Sequence, residues 1–457
     1  MISIHYKTKD PYALYGIDHF IKKFGIPVTI NTPSPISIVY GNIEFDGSFL
    51  IHINESELKI EDFQKLILDG IDNIGEYIEY SKNQIYIDFD IFKIIGYILS
   101  GKFDLFKDKY NDTLAKIPVV DYYEKKLFEV LADACQRTNT SLVCKAFWPK
   151  GKKFAVCLTH DVDEIRKTYQ YFTKAIRGLK NRELTRVIYQ LKSFVTDKIF
   201  KKNPYWTFED IMKLEDKFNV RSTFFFLKES ARISLFDPAT WHHYARKYDF
   251  REQEVSKIIG ELASKGWEVG LHGSYESYID KKKLENEKKL LESVLGDKVK
   301  GIRQHHLNLK IPETWEYQEE SGFEYDTSLG FKGGKGVGFR WGTCFPFYPF
   351  NGSRIISVLE IPLIIMDISI TPDEKGWKKC LDIINTVEEY GGVLTVLWHH
   401  TVFNSNEYPG WAEMYEKIIK TCKKKNAWIT NAYEIAKWWK ERLEYIKQIS
   451  GQLDGVL

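Results

Sequence analysis

The chain has 457 residues, beyond the length at which a single hydrophobic core stops growing, so two domains are expected. Sixty-five Lys and Arg against 63 Asp and Glu leave a formal net charge of +2, which excludes a partner chosen by bulk charge, nucleic acid above all. Six scattered cysteines with no C-x-x-C pair exclude a disulfide frame and a zinc–thiolate centre.

The opening MISIHYKTKDPY has no apolar signal region. No later run approaches the roughly 18 uninterrupted apolar residues that a membrane span needs, so a soluble, cytoplasmic protein is expected. Residues 12–25 carry apolar side chains at helical spacing, 37–40 and 48–53 read as short strands, and 91–99 as a helix. These pieces predict a small N-terminal α/β domain over residues 1–148 whose task the residues do not disclose. A further amphipathic helix over 122–136 runs into the break Ala146-Phe147-Trp148-Pro149-Lys150-Gly151, taken as the boundary.

Beyond it, apolar strands are predicted at 154–158, 222–227, 267–271, 300–302, 359–365, 393–398 and 427–429. Helical patterns lie between most of them, at 207–218, 251–265, 282–295, 311–321, 377–390 and 411–425. Strands alternating with helices predict a parallel sheet, and seven such units suffice to close a barrel over 149–445. One segment departs from the balanced charge: residues 166–202 hold eleven Lys/Arg and two acids, interleaved with aromatic and aliphatic side chains. Such a basic amphipathic insert is able to lie on an anionic membrane surface, to grip a phosphate-bearing substrate, or simply to pack over the barrel as a solvated hairpin.

Several strands end in residue types that do chemistry. The run 154–158 leads into Thr159-His160-Asp161-Val162-Asp163, 267–271 into His272-Gly273-Ser274-Tyr275-Glu276, 301–302 into Arg303-Gln304-His305-His306, and 393–398 into His399-His400. A D-x-D alone is most often an Asx-rich turn, and a lone strand-end His is most often a satisfied rim residue. Several such ends together point instead to a site, because ligands of open α/β sheets and β/α barrels sit beyond the carboxyl ends of the strands.

The order T-H-D-V-D, E-V-G-L-H-G-S-Y, G-I-R-Q-H, L-E-I-P-L, L-T-V-L-W-H-H resembles the polysaccharide deacetylase family, also called NodB-homology or carbohydrate esterase 4, in its bacterial two-domain branch. The likeness covers about residues 150–440. It implies a distorted (β/α)7 NodB-type barrel that binds a divalent metal, zinc foremost, and removes acetyl groups from an N- or O-acetylated sugar of a surface glycan or its lipid-linked precursor. By the same resemblance Asp161 is the general base, Asp163 and His272 are metal ligands, Arg303 orients the base, and His399 is the general acid. The family pattern places a histidine four residues after His272, where this chain has Glu276; the third ligand is therefore expected to be His305, with Glu276 and His306 as alternatives.

His400 is expected to face away from its neighbour, since adjacent strand residues point to opposite faces. Asp326 is expected either to partner His399 or Arg303 or to cap a helix. Tyr275, Trp206 and Arg340 are candidates for substrate contact. The acetylated glycan or glycolipid is the expected partner, with peripheral contact to an anionic membrane as a further expectation. Two rival readings remain open from sequence: a degenerate barrel that only binds carbohydrate, and a hydrolase of a small amide or ureide.

Overall fold

A computed structural model describes residues 2–56, 60–106, 111–229, 246, 248–333 and 336–450. Two sheets organise them. The first comprises β1 (Ile2–Tyr6), β2 (Val28–Ile30), β3 (Ile36–Tyr40), β4 (Leu50–Ile53), β5 (Ile78–Tyr80) and β6 (Gln84–Ile87), in the order β2-β1-β3-β4-β6-β5; all neighbours are parallel except β5 with β6. Its first helix, Pro11–Phe24, starts where Asp10 accepts hydrogen bonds from the Tyr12 and Ala13 amides and stops at Gly25, whose φ of 61° suits a residue without a Cβ.

The second sheet holds the predicted barrel: β7 (Ala155–Val162), β8 (Thr223–Leu227), β9 (Glu268–Gly273), β10 (Gly301–Gln304), β11 (Tyr325–Asp326), β12 (Leu359–Glu360), β13 (Ile365–Met366), β14 (Val393–Leu397) and β15 (Trp428–Thr430). The strands pair in parallel in the order β12-β11-β10-β9-β8-β7-β14-β13, so the sheet ends on β12 and β13, which lie four residues apart in the chain. The two halves of one interrupted strand therefore close the ring, Ile361 donating to Asp326 O and Ile364 to Thr395 O across the gap. Counted this way the barrel has seven strands, in keeping with the expected distorted (β/α)7 form. β15 pairs only with the first residues of β7, beneath the segment that β8 covers.

Three elements differ from the sequence expectation. The first barrel strand runs on to Val162, so Asp161 is a strand residue rather than part of a turn. Residues 359–365 form two short strands, because the bend at Pro362 carries the chain from one neighbour to the other. Tyr325-Asp326, read as loop or helix cap, is a strand of the ring.

Alternation along the strands fills the interior in layers. Gly270 and Gly301 leave room that Phe225 and Tyr325 occupy; a Cβ on Gly301 would lie 1.9 Å from the Tyr325 ring. At this floor Glu268 accepts hydrogen bonds from Thr223 Oγ1 (2.5 Å), Tyr325 OH (2.7 Å) and the Tyr433 amide (2.8 Å).

The N-terminal sheet and the barrel share an extensive boundary. Arg442, buried, donates to the carbonyls of Lys22 (2.8 Å), Lys23 (2.6 Å), Lys145 (2.9 Å) and Ala146 (3.1 Å). It thus satisfies the last carbonyls of the first helix and fixes the inter-sheet segment. Asp121 receives hydrogen bonds from Lys23, Thr343 Oγ1 and the Cys344 amide. Arg340, a substrate-contact candidate, is ion-paired instead with Asp104 at this boundary.

Burial pushes the Glu268 carboxyl up to about 7 from the ordinary 4.5, despite its three donors. A carboxyl raised on folding contributes stability that is complete below its unfolded value and is lost as pH rises through its folded one. This group should therefore remove up to ~3 kcal/mol of stability between about pH 5 and about pH 8. Urea unfolding at the two pH values should show a steeper loss for the wild type than for Glu268→Gln.

Candidate metal centre

The carboxyl ends of β7, β9, β10 and β14 bring their polar residues to a cleft of about 360 Å³. At its base lies the fully buried Arg303. Its Nε donates to Thr327 O (3.0 Å), Nη2 to Thr327 Oγ1 (3.1 Å), and Nη1 to both Thr159 Oγ1 (2.8 Å) and Asp161 Oδ1 (2.9 Å), while the guanidinium rests on the Phe225 ring at 4.8 Å. Burial alone would raise the Asp161 carboxyl; the Arg303 charge, aided by His272 and His399, outweighs it and holds Asp161 below the usual carboxylate range.

Above this pair, Asp163, His272 and His305 each offer one atom within 4.8 Å of the others. His272 Nδ1 donates to the Arg303 carbonyl at 2.8 Å, which turns Nε2 toward the two aspartates; burial alone would lower this imidazole, but Asp161 and Asp163 raise it. That Nε2 lies 3.3 Å from Asp163 Oδ1 and 3.6 Å from Asp161 Oδ2. His305 Nε2 stands 3.8 Å from Asp163 Oδ1, and its Nδ1 faces the buried Glu229 carboxylate at 3.3 Å. Asp163 Oδ1 is buried and accepts no hydrogen bond of good geometry. An anionic oxygen so placed, between two imidazoles, is a donor set able to hold a divalent cation, with room left for water or substrate.

Across the cleft His399 Nδ1 donates to Asp367, 2.8 Å from Oδ1, and the His399 amide donates to Asp367 Oδ2 at 2.6 Å. Its Nε2 is turned toward the site, 4.0 Å from Asp163 Oδ2. Burial by itself would lower this imidazole, but Asp367, with Asp163 and Asp161 behind it, pushes it up to about 10.

The remaining candidates separate from this group. Glu276 turns outward to an ion pair with Lys283 at 2.5 Å, held there by the turn after β9. His306, at a φ of 57°, accepts from Arg246 Nη1 at 3.2 Å and meets the Tyr275 ring edge-on at 5.6 Å; both residues stand on the rim. His399 and His400 lie beyond the end of β14, so strand alternation does not set their faces: His400 opens the helical turn His400–Phe403, is buried in the cleft wall, stacks on Phe208 and has Nδ1 3.1 Å from Asp161 O. Trp206 points away from the cleft, its Nε1 donating to Glu209. Asp326 meets neither His399 nor Arg303 and caps no helix: it accepts from Ser328 Oγ (2.5 Å) and pairs with Glu360, where burial raises both carboxyls.

Sequence reading missed Glu229, Asp367 and Arg246. Glu229 and Asp367 follow the ends of β8 and β13 by two and one residues, so the same strand-end rule, applied to Thr-Phe-Phe-Phe-Leu-Lys-Glu and Ile-Met-Asp, would have found them. Arg246, whose Nη2 lies 4.0 Å from Asp163, belongs to no strand end and carries no such signal.

No family model matches the chain, and no curated protein does either. Among solved structures it is similar to a protein described as a "putative polysaccharide deacetylase" from Mycobacterium smegmatis, at 19% identity and TM-score 0.43, over 65% of this chain and 93% of that one. It is also similar to Puue allantoinase, at 15% identity and TM-score 0.40 over 64% and 92%, and to peptidoglycan deacetylase PdaC from Bacillus subtilis, at 13% and 0.31 over 66% and 98%. The case for chemistry accordingly rests on the side chains of this chain.

Elemental analysis of purified protein should find the bound cation lost in His272→Ala and His305→Ala and retained in Glu276→Ala. Glu229→Gln, which leaves the ligands in place and removes only the anchor of one, should weaken metal affinity by ~10–100-fold.

Proposed function

We propose that the chain is a metal-dependent hydrolase of the polysaccharide deacetylase kind, acting on an N- or O-acetylated sugar. The observation that carries this reading is the juxtaposition, in one cleft, of the Asp161–Arg303 pair with the triad Asp163, His272 and His305. A divalent cation held by those three side chains, zinc being suited to two imidazoles and one carboxylate, supplies a Lewis acid for an acyl oxygen and for water. The residues of the chain do the rest.

Asp161 takes a proton from the attacking water. Arg303 keeps it ionised and aims it, because three of the guanidinium's other contacts are fixed to Thr159 and Thr327 and leave it no alternative position. His399 carries the proton that the departing sugar nitrogen or oxygen needs. Asp367 accepts the Nδ1 proton and favours the imidazolium, leaving Nε2 as the nitrogen that faces the site. Between the two, Leu307, Met366 and Leu397 form an apolar wall of the cleft, next to Leu363, that suits a methyl group such as that of acetyl. A glycan built on a lipid carrier would approach this rim from a membrane surface.

Acetate release from a panel of acetylated oligosaccharides, with zinc or cobalt added, tests the reading; no release from any of them overturns it. Asp161→Asn and His399→Gln should each lower kcat by ~10²–10⁴-fold with metal content unchanged. Asp367→Asn should move the alkaline limb of the pH–rate profile to lower pH, because His399 then loses its proton earlier.

A further inference from the structure

The insert forms a helical hairpin, Gln170–Lys180 followed by Leu184–Ile199, and its polarity is inside out. Toward the barrel it presents polar groups. Lys167 Nζ donates to Gln190 (2.7 Å) and Glu407 (2.8 Å), and Lys174 is bonded to Tyr205 OH (2.8 Å) and to Glu407; within the hairpin Asp197 accepts from Tyr171 OH (2.9 Å) and Ser193 Oγ (2.6 Å), with Ala175 and Val187 buried beside them. Toward solvent it presents aliphatic stripes at helical spacing: Ile176 and Leu179 on the first helix; Leu184, Ile188, Leu191, Val195 and Ile199 on the second. Exposures of 65% for Leu184 and 67% for Ile199 are those of side chains with nothing packed upon them. An apolar face of this extent on a folded chain marks an interaction surface.

The charges around the face select its occupant. Arg177, Lys180, Arg182, Lys192, Lys198, Lys201 and Lys202 are exposed and make no ion pair among the described residues. The two acids of the segment are committed elsewhere, Glu183 to Arg186 and Asp197 to the inner hydroxyls. A second copy of the chain would set the same seven cations against one another. An anionic lipid headgroup layer meets them with opposite charge while its acyl boundary takes the aliphatic stripes. Helices of 11 and 16 residues are too short to cross a bilayer, and no helix among the described residues is long and apolar enough to do so; the hairpin lies in the plane of the surface. The first helix also carries Gln170 and Lys174 into the wall of the cleft that holds Asp161 and His272.

We propose that the outer face of this hairpin seats on an anionic lipid surface and presents the cleft to an acetylated glycan carried on a lipid anchor. The second half of this rests on the hydrolase reading above; the first half does not. Intact protein should co-sediment with vesicles of equal phosphatidylglycerol and phosphatidylcholine, and not with phosphatidylcholine alone. The triple variant Ile188→Asp, Leu191→Asp, Val195→Asp changes only solvent-facing positions; it should keep the wild-type melting temperature and its rate on a soluble acetylated oligosaccharide. The variant should lose anionic-vesicle binding by ~10-fold or more, as charge is set into the acyl boundary, with a matching fall in rate on the same oligosaccharide coupled to a phospholipid in the vesicle. Absence of vesicle binding by folded wild type, or equal binding by the triple variant, overturns the proposal. So does a wild-type dimer in sedimentation equilibrium that the triple variant abolishes while vesicles go unbound, which assigns the face to a second copy. Vesicle binding without acetate release from either substrate instead overturns the hydrolase reading and leaves the docking surface standing.

Discussion

The buried contact between Arg303 and Asp161 is the constraint on which the rest of the cleft depends. A guanidinium with no solvent in the centre of a parallel barrel is tolerated only because four directed hydrogen bonds, one of them to a carboxylate, surround it. Removing a partner from such a pair typically costs ~3–5 kcal/mol, since the other charge is left buried alone. The interior is cut to fit it: threonines at 159 and 327 supply oxygen, and Phe225 supplies a ring face. The same arginine also orients His272, whose Nδ1 donates to its backbone carbonyl. Asp161 and His272 are thus both registered to one residue on β10.

Much of the barrel was legible in the sequence because its signals are local. Apolar runs bounded by helical patterns predict a parallel sheet without any knowledge of the partner strands, and polar residues crowded at the ends of those runs predict which end of the ring is chemical. Asp161, Asp163, His272, Arg303, His305 and His399 could be named as candidates on that basis together with the family resemblance. What could not be read depended on distance in space. Glu229 matters only because the chain leaving β8 brings it to His305, two strands over, and Asp367 only because the closing strand runs beside β14. Arg340 and Trp206 have the composition of sugar-binding residues, yet one answers to Asp104 and the other to Glu209, partners that no local pattern reveals. Asp326 shows the same limit: its true neighbour, Glu360, is thirty-four residues away and joins it only through the pairing of β11 with β12.

From sequence the basic amphipathic segment either packs over the barrel as a solvated hairpin, lies on an anionic surface, or grips a phosphate-bearing substrate. In the folded chain Lys167, Lys174 and Gln190 turn inward to Tyr205 and Glu407, and the aliphatic stripe is left outside. Hydrophobic periodicity locates a helix and its stripe; which side turns inward is set by the polar anchors supplied by the rest of the molecule.

The ring closes through its weakest link. β12 and β13 are two residues each, joined by a proline bend, whereas β7 carries eight residues of ladder. Local opening in a folded protein begins where backbone hydrogen bonds are fewest, so this seam is the place where warming should first part the cylinder. Asp367 stands immediately beyond it. A slight breathing of the seam would set His399 adrift while Asp163, His272 and His305, borne on unbroken neighbours, kept their places. Such a molecule would lose the Asp367–His399 contact on heating while still folded, and would regain it on cooling.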